Sequence, residues 1–336
     1  MRRFLSLLAY TLSLFSLVVP ASGQEMSLIE AAKKEGARVV VYGSMESGIA
    51  ESITNAFLKT NGLHVDYWRA SATKVVDRAL GEYRAGKPLF DVVLTVADPM
   101  RIMQREGIFA RYNSPAAKDY PKEAIDPNLG PSYRKIMIGI VYNKNVIRPG
   151  DAPKSLEDLS LPAYKGKLVM PDPTQHTTTT QWLANLHRLM GKERADRYIR
   201  DLAATRPILA ESLLPPVQRA STGETPIAIT LVHYAYVFGQ KGAPLDHVRL
   251  PRMLGDNNYV ALNNKAPHPN AGKAFIDFFL DDESMKIMAK MGEFVNRKGI
   301  YPPLPDADKI QFVPMEDLGA KGYAEKKKEY REIFFR

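Results

Sequence analysis

The segment LVHYAYVF, residues 231–238, places one histidine and two tyrosines within four positions. A tyrosine hydroxyl binds a hard cation only after it loses its proton, which from an ordinary pKa near 10 requires a strong Lewis acid such as ferric iron. If the chain is helical from His233 onward, Tyr234 and Tyr236 project about 200° apart and cannot face one ligand. We therefore predict that His233 and Tyr234 contact a ligand, while residues 236–238 pack in the core.

Three other segments place polar side chains between a predicted strand and a predicted helix: GSMESG (43–48), RASATK (69–74) and PDPTQHTTTTQW (171–182). Helix amino termini carry unpaired N–H groups that attract anions, although serine and threonine there can also act only as helix caps. Such groups suit a small anionic solute, and Glu46 would repel an anion unless a cationic group pairs with it. The predicted ligand-binding residues are Ser44, Glu46, Ser47, Ser71, Thr73, Thr95, Thr174, Gln175, His176, Thr177, His233 and Tyr234. No residue is predicted to be catalytic.

The amino terminus has the pattern of a secretory signal peptide. Arg2 and Arg3 precede an apolar stretch from residue 4 to residue 19, and the small residues ASG end at Gly23. About 16 apolar residues are too few for a membrane-spanning helix, which needs roughly 20. We predict cleavage after Gly23 and an exported, soluble, monomeric protein in the periplasm.

Composition excludes several kinds of site. The 336 residues include no cysteine, so disulfides, thiolate metal sites and thiol nucleophiles are ruled out, and any metal must use oxygen or nitrogen ligands. The formal net charge of +9 falls to +7 without Arg2 and Arg3. No basic stripe interleaved with aromatic residues accompanies this charge, which argues against nucleic-acid binding. A modest positive field instead favours anionic ligands.

Helices and strands alternate along the chain. A helix with a Ser27 cap precedes an apolar strand that ends at Tyr42, and the pattern then repeats. Asp98 and Pro99 are predicted to open a further helix, and residues 177–190 are predicted to form a single helix. Strands that alternate with helices of 10 to 15 residues are typical of doubly wound α/β domains.

Two strand-like runs, YRKIMIGIVYNK and DNNYVALNN, are predicted to cross between two lobes. Lobe 1 would then comprise residues 24–132 and 258–299. Lobe 2 would comprise residues 133–257 and 300–336 and end in a basic helix. The cleft between the lobes is the expected binding site, because open α/β sheets bind ligands beyond the carboxyl ends of their strands.

Several segments together resemble the periplasmic solute-binding proteins of ABC importers, in the branch that includes ferric-iron binders. These are EAAKKEGARVVVYGS, FDVVLTVADPMRIMQREGIFARY, IVYNKNVI, SLEDLSLPAYKGKLVMPDPT, GETPIAIT and APHPNAGKAFIDFFLDDESMKIMAK. The resemblance implies a fold like that of type II periplasmic binding proteins, with two lobes that close on a small-molecule ligand. It also implies an inner-membrane ABC permease as the partner.

The alternatives differ in the kind of ligand. Ferric-binding members of the resembled branch carry two adjacent tyrosines where this chain has His233 and Tyr234, so iron is the second hypothesis, with His233, Tyr234, Glu46 and an external anion as ligands. No other cofactor is expected. The third hypothesis, an exported hydrolase, lacks a G-x-S-x-G elbow, an H-E-x-x-H helix and a glycine-rich phosphate loop.

Overall fold

The structure of the protein is a computed structural model that describes residues 26–335. The predicted signal peptide, residues 1–23, lies outside the described residues. The strands are β1 (Arg38–Gly43), β2 (His64–Arg69), β3 (Val92–Val96), β4 (Ile125–Asp126), β5 (Gly130–Asn143), β6 (Leu168–Pro171), β7 (Ile208–Ala210), β8 (Ile227–Leu231), β9 (Leu245–His247), β10 (Arg252–Leu262), β11 (Phe294–Val295) and β12 (Gln311–Pro314). The α-helices are α1 (Leu28–Lys34), α2 (Ser47–Asn61), α3 (Ala72–Arg84), α4 (Ala97–Arg105), α5 (Thr177–Asn185), α6 (His187–Met190), α7 (Lys192–Ala204), α8 (Leu214–Thr222), α9 (Tyr234–Gly239), α10 (Pro269–Phe279), α11 (Asp282–Lys290) and α12 (Gly319–Phe334).

The main path of strands runs in the order β2-β1-β3-β10-β5-β8-β6-β7. At one end β1, β2 and β3 are parallel, and at the other end β6, β7 and β8 are parallel. Between these groups β10 is antiparallel to β3 and to β5, and β5 is antiparallel to β8. This confirms the predicted architecture of two doubly wound α/β lobes joined by crossing strands. The residue boundaries of the lobes stay a prediction.

Separate hydrophobic clusters lie beside the two groups of parallel strands. Trp182 and Ile229 are fully buried in the cluster around β6 and β8. In the cluster around β1 and β3, Phe57 and Phe275 pack edge to face with ring centroids 5.5 Å apart. Each group of strands therefore has a core of its own. Tyr330 of α12 is buried in the first cluster, which docks the carboxyl-terminal helix against that group.

Helix starts follow the local sequence in some places. Ser27 caps α1 as predicted, through a capping box in which Ser27 and Glu30 satisfy each other's backbone N–H. Helix α7 begins directly after Gly191, whose φ of 81° suits a glycine at a chain reversal. No helix among residues 26–335 has the length and apolar character needed to cross a membrane.

Two predicted helix boundaries are wrong. The single helix predicted for residues 177–190 is divided into α5 and α6, because the Leu186 N–H bonds to the Leu183 carbonyl three residues back and tightens the turn. Asp98 does not cap α4, which begins at Ala97 with Val96 as its N-cap. The Asp98 carboxylate accepts a hydrogen bond from the Tyr323 hydroxyl of α12 instead.

Candidate functional site

Four charged or titratable side chains from distant parts of the chain meet at the ends of β1 and β8. Glu46 is the N-cap of α2, Arg134 lies on β5, His233 is the N-cap of α9 and Glu293 immediately precedes β11. Arg134 Nη1 lies 2.7 Å from Glu293 Oε1 and 3.3 Å from Glu46 Oε2, and His233 Nε2 lies 3.5 Å from Glu293 Oε1. We call these four residues the ion cluster.

The ion cluster is largely removed from solvent. The side chains of Arg134 and Glu293 are 4% and 0% exposed, whereas that of Glu46 is 38% exposed. Neither carboxylate oxygen of Glu293 has a hydrogen-bond donor within residues 26–335, since its contact with Arg134 is an ion pair without hydrogen-bond geometry. Buried acceptors of this kind are normally satisfied. The Glu293 carboxylate can therefore still accept hydrogen bonds, and Glu46 is the most exposed of the three side chains.

Charge pairing sets the protonation of the cluster. Burial opposes ionisation of Glu46, but the charges of Arg134 and His233 outweigh it and hold the pKa of Glu46 below its usual range. Burial likewise opposes the charge on Arg134, and Glu293 and Glu46 outweigh it and raise the Arg134 pKa well above its ordinary value. The Glu46 carboxylate and the Arg134 guanidinium therefore stay charged and form an ion pair.

Tyr234 completes this region. Its ring packs against His233 with centroids 4.6 Å apart, and the residue is 8% exposed. Its hydroxyl has no hydrogen-bond partner in the part of the chain that the structure describes. Burial raises the pKa of Tyr234, and the negative charges of Glu46 and Glu293 raise it further. The phenol is therefore neutral and free to exchange a hydrogen bond with a ligand.

The ion cluster also contains donors for a metal ion. Glu46, His233 and Glu293 each offer one ligand atom, and these atoms lie within 4.8 Å of one another. Oxygen and imidazole nitrogen donors suit hard or borderline cations. Arg134 is paired with both carboxylates, so a cation at this position must compete with its guanidinium.

Two serines predicted to bind a ligand, Ser44 and Ser47, lie within two residues of Glu46, and Thr95 contacts Ser44. Ser44 Oγ and Thr95 Oγ1, at the ends of β1 and β3, are 2.8 Å apart and share a hydrogen bond. Ser47 is exposed at the first position of α2. The Glu46 carboxylate makes no capping bond to α2, which leaves it directed to Arg134.

The predicted residues of the other loops form mostly local bonds. Ser71 caps α3 by accepting the Lys74 N–H. The hydroxyl of the buried Thr174 and the amide of Gln175 both donate to Asp172. His176 caps α5.

His176 is held neutral by its surroundings. Burial lowers the pKa of His176 to about 4, and the charge of Lys327 adds to that shift. A neutral imidazole that already bonds to Thr179 is poorly suited to attract an anion.

Thr73 and Thr177 line a different region of the interlobe cleft, a cavity of about 380 Å³. Its wall also contains Asp98, Asp256 and Asp317, together with Tyr323 of α12. We call this the acidic cavity. The structure thus brings five of the twelve predicted residues together in two places: Glu46, His233 and Tyr234 meet at the ion cluster, and Thr73 and Thr177 line the acidic cavity.

Sequence reasoning missed Arg134, Glu293 and Asp256. Arg134 and Asp256 are charged residues inside the two runs that were predicted to cross between the lobes, and Glu293 precedes the apolar pair Phe294–Val295. A charge within a buried strand needs a partner or a function, because an unpaired buried charge is costly. That signal would have marked Arg134 and Asp256, although it would not have told which residues they contact, and it does not apply to Glu293, which lies outside a strand.

Comparisons with known proteins agree with this architecture. A family model described as "Bacterial extracellular solute-binding protein" matches residues 87–320, more than half of the chain. The chain is 24% identical over 266 residues to an uncharacterized protein of Haemophilus influenzae, covering 76% of each. It is 32% identical over 130 residues to a probable ABC transporter periplasmic-binding protein, y4fP, of Sinorhizobium fredii, covering 38% of this chain and 36% of that protein.

Two solved structures are similar in fold. The periplasmic binding protein AfuA of Actinobacillus pleuropneumoniae, with fructose 6-phosphate bound, gives a TM-score of 0.70 at 20% identity and covers 89% of this chain and 96% of that chain. Iron-bound HitA of Pseudomonas aeruginosa gives a TM-score of 0.69 at 20% identity and covers 87% of this chain and 99% of that chain. These two proteins share a fold and hold different ligands, so fold alone does not select the ligand of this chain.

Proposed function

The chain belongs to the bacterial extracellular solute-binding protein family, and we propose that it captures a small anionic solute in the interlobe cleft and delivers it to the inner-membrane permease of an ABC importer. The relative from Sinorhizobium fredii, named as a probable ABC transporter periplasmic-binding protein, supports the transport role. Capture and delivery need no catalytic step, and we propose none. We also propose that the protein is monomeric and that it is exported after cleavage behind Gly23, which amino-terminal sequencing of the mature protein tests.

The observation that carries this function is the meeting of polar side chains from both lobes. Glu46 follows β1, whereas His233 and Tyr234 follow β8, and Arg134 joins them from a crossing strand. A solute bound here contacts both groups of parallel strands at once. Hinge closure around such a solute is the standard motion of proteins built in this way.

An anionic solute is favoured by the unused hydrogen-bonding groups around the ion cluster. Arg69, at the end of β2, is exposed and has no ion-pair partner within residues 26–335. It lies close enough to Tyr234 for its positive charge to oppose part of the rise in the pKa of that phenol. The Tyr234 hydroxyl and the Ser44–Thr95 pair add neutral donors. Arginine with hydroxyl groups is a common combination for carboxylate or phosphate recognition.

Thermal unfolding with and without ligand tests this function. Fructose 6-phosphate, citrate and inorganic phosphate are the probes, and one of them at 100 times its Kd should stabilise the protein by about 2.7 kcal/mol. Arg69→Ala should weaken that stabilisation, whereas the control Arg84→Ala, which removes an exposed arginine paired with Glu106, should not. If no anion among the probes raises the melting temperature, the anionic class is wrong.

Ferric iron is the second candidate, because Glu46, His233 and Glu293 bring three ligand atoms within 4.8 Å beside Tyr234. Iron would have to displace Arg134 from the carboxylates and draw the proton from a phenol whose pKa is raised. Adding ferric citrate separates the candidates, since a phenolate bound to iron absorbs visible light. Visible absorption that is lost in Tyr234→Phe would establish that the protein binds ferric iron through Tyr234. A titration without colour would rule out this mode of iron binding.

A further inference from the structure

The acidic cavity has a composition unlike that of the ion cluster. Its volume is about 380 Å³, and four carboxylates, those of Asp77, Asp98, Asp256 and Asp317, line it. The apolar side chains of Val76 and Ile102 also line it. The cavity therefore combines negative charge with hydrocarbon surface.

Asp256 is the less satisfied of the two buried carboxylates. The residue is 6% exposed, and its Oδ1 accepts only the N–H of its own neighbour Asn257, at 2.9 Å. Its Oδ2 has no hydrogen-bond donor and its carboxylate has no ion-pair partner among residues 26–335. A carboxylate so deeply buried is normally paired or ligated. Asp256 thus presents an unpartnered oxygen to the cavity that it lines.

Asp98 lies beside it and is only partly satisfied. The residue is 8% exposed, and its Oδ2 accepts the Tyr323 hydroxyl. Its Oδ1 is buried without a hydrogen-bond donor, and the nearest cation is Arg101 Nη1 at 3.5 Å. Asp317 and Arg105 are exposed where they line the cavity. The deep end of the cavity therefore holds two carboxylates with free acceptor capacity.

Building on the proposed function, we propose that the acidic cavity is a subsite for a primary aliphatic ammonium group of the solute, with Asp256 and Asp98 as its acceptors and the methylene chain against Val76 and Ile102. An ammonium group has three donors and no acceptor, which matches oxygens that lack donors. A bare metal ion fits less well. Within the described residues, only Glu46, His233 and Glu293 bring three ligand atoms close enough for one ion.

The protonation of Asp256 adds a second signature. Burial, together with the negative charges of Asp98 and Asp317, raises the pKa of Asp256 to about 7, although the Asn257 N–H and the charge of Arg101 oppose the shift. A bound ammonium group favours the ionised carboxylate, so binding should tighten as the pH rises from 6 to 8. An uncharged ligand of the same shape should lack this dependence.

The test is calorimetric titration of the full mature chain with putrescine, a four-carbon diamine, and with 1,4-butanediol as the uncharged control. We expect putrescine to bind at pH 8 and to bind more weakly at pH 6. We expect the diol to show no measurable binding at either pH. Asp256→Asn should weaken putrescine binding by at least about tenfold, as should Asp98→Asn, because each removes a charged acceptor. Asp66→Asn is the matched control, since Asp66 is an exposed carboxylate on β2 that does not line the cavity.

Three results would overturn the subsite: no putrescine binding at pH 8, equal binding of the diol, or undiminished binding to Asp256→Asn. Folding of each variant is checked by its melting temperature without ligand, and Asp98→Asn provides an independent variant if Asp256→Asn does not fold. A parallel titration of the wild type with fructose 6-phosphate keeps the two proposals apart. Binding of fructose 6-phosphate without binding of putrescine defeats only the ammonium subsite. Binding of putrescine without binding of fructose 6-phosphate, citrate or inorganic phosphate defeats only the anionic solute.

Discussion

The ion cluster and the acidic cavity both place carboxylates in the interlobe cleft, yet those carboxylates behave in opposite ways. Burial opposes the charge on Glu46 and on Asp256 alike. Arg134 contacts Glu46 and keeps its pKa below the usual range, whereas Asp256, with no cation in contact, has a pKa raised to about 7. Contact with a cation thus separates the Glu46 carboxylate, whose pKa is lowered, from the Asp256 carboxylate, whose pKa is raised.

The two regions should also differ in whether they contribute mainly to stability or mainly to ligand binding. The ion cluster ties β5 to the segments that follow β1 and β8 and precede β11, and most of its charge is already neutralised. The acidic cavity has negative charge that no described residue neutralises by contact, apart from the 3.5 Å pair between Asp98 and Arg101. The first region should therefore dominate stability, and the second should dominate response to a cationic group.

The largest effect should come from breaking the ion cluster. Arg134→Met leaves Glu293, which is 0% exposed, as an uncompensated buried charge, and should reduce the free energy of unfolding by about 3 to 5 kcal/mol in urea denaturation. Adding Glu293→Gln to that variant should restore most of the loss. The exposed Arg69→Met should change stability by less than about 0.5 kcal/mol. A loss below about 1 kcal/mol in Arg134→Met would show that the cluster is not a stabilising centre.

A pH-dependent effect should follow in the acidic cavity. The pKa of Asp256 is about 7 in the folded protein, above an unfolded value near 3.9. The protonated carboxyl therefore contributes stability that is fully present below about pH 4 and is lost as the pH rises through about 7. Asp256→Asn should remove this dependence and be more stable than the wild type at pH 8 by on the order of 2 to 4 kcal/mol. Urea denaturation at pH 5 and pH 8 measures it. Equal pH dependence in both proteins would contradict the raised pKa.

A smaller effect is expected for the free hydroxyl at the edge of the ion cluster. Tyr234→Phe should leave stability nearly unchanged and weaken binding of an anionic solute by about 0.5 to 1.5 kcal/mol, or up to about 3 with a charged partner, since one hydrogen bond is lost. Tyr234→Ala should also lower the melting temperature, because the ring packs on His233 and Phe238. Normal solute affinity in a folded Tyr234→Ala protein would remove Tyr234 from the site.

The smallest effect should come from the hydroxyl pair beside the cluster. Ser44→Ala breaks the bond between Ser44 and Thr95, which is fully buried, and should cost about 0.5 to 1.5 kcal/mol of stability. Ser47→Ala is the matched control, because Ser47 is exposed and should change stability by less than about 0.5 kcal/mol. Equal effects of the two substitutions would mean that the Ser44–Thr95 bond contributes nothing.

Local signals were sufficient for much of the fold. The Ser27 capping box, Gly191 before α7, and the unbroken apolar runs of β1 and β8 each depend on residues that are neighbours in sequence. The alternation of these elements predicted doubly wound α/β domains, and the two long strand-like runs predicted the crossing between lobes. The division of residues 177–190 was missed because a single shortened bond at Leu186 leaves no mark on the helical pattern.

The candidate site was less accessible to sequence reasoning. His233, Tyr234 and Glu46 could be proposed from their positions after predicted strands, but Arg134 and Glu293 reach them from far along the chain. Which charges pair depends on the register of β5 against β10, and register is set by packing that no local pattern reports. For the same reason Asp98 was predicted to cap a helix, when its partner is Tyr323 in the last helix.

The place of β10 in the sheet also bears on how the chain reaches its native state. β10 pairs with β3 on one side and with β5 on the other, although both of those strands are synthesised well before it. Until residue 262 has emerged, the facing edges of β3 and β5 present unpaired N–H and C=O groups that can recruit other chains. Pairings between strands so distant in sequence are slow to form, since a long loop must close first. The nascent protein therefore passes through a period in which these unpaired strand edges make it prone to aggregation.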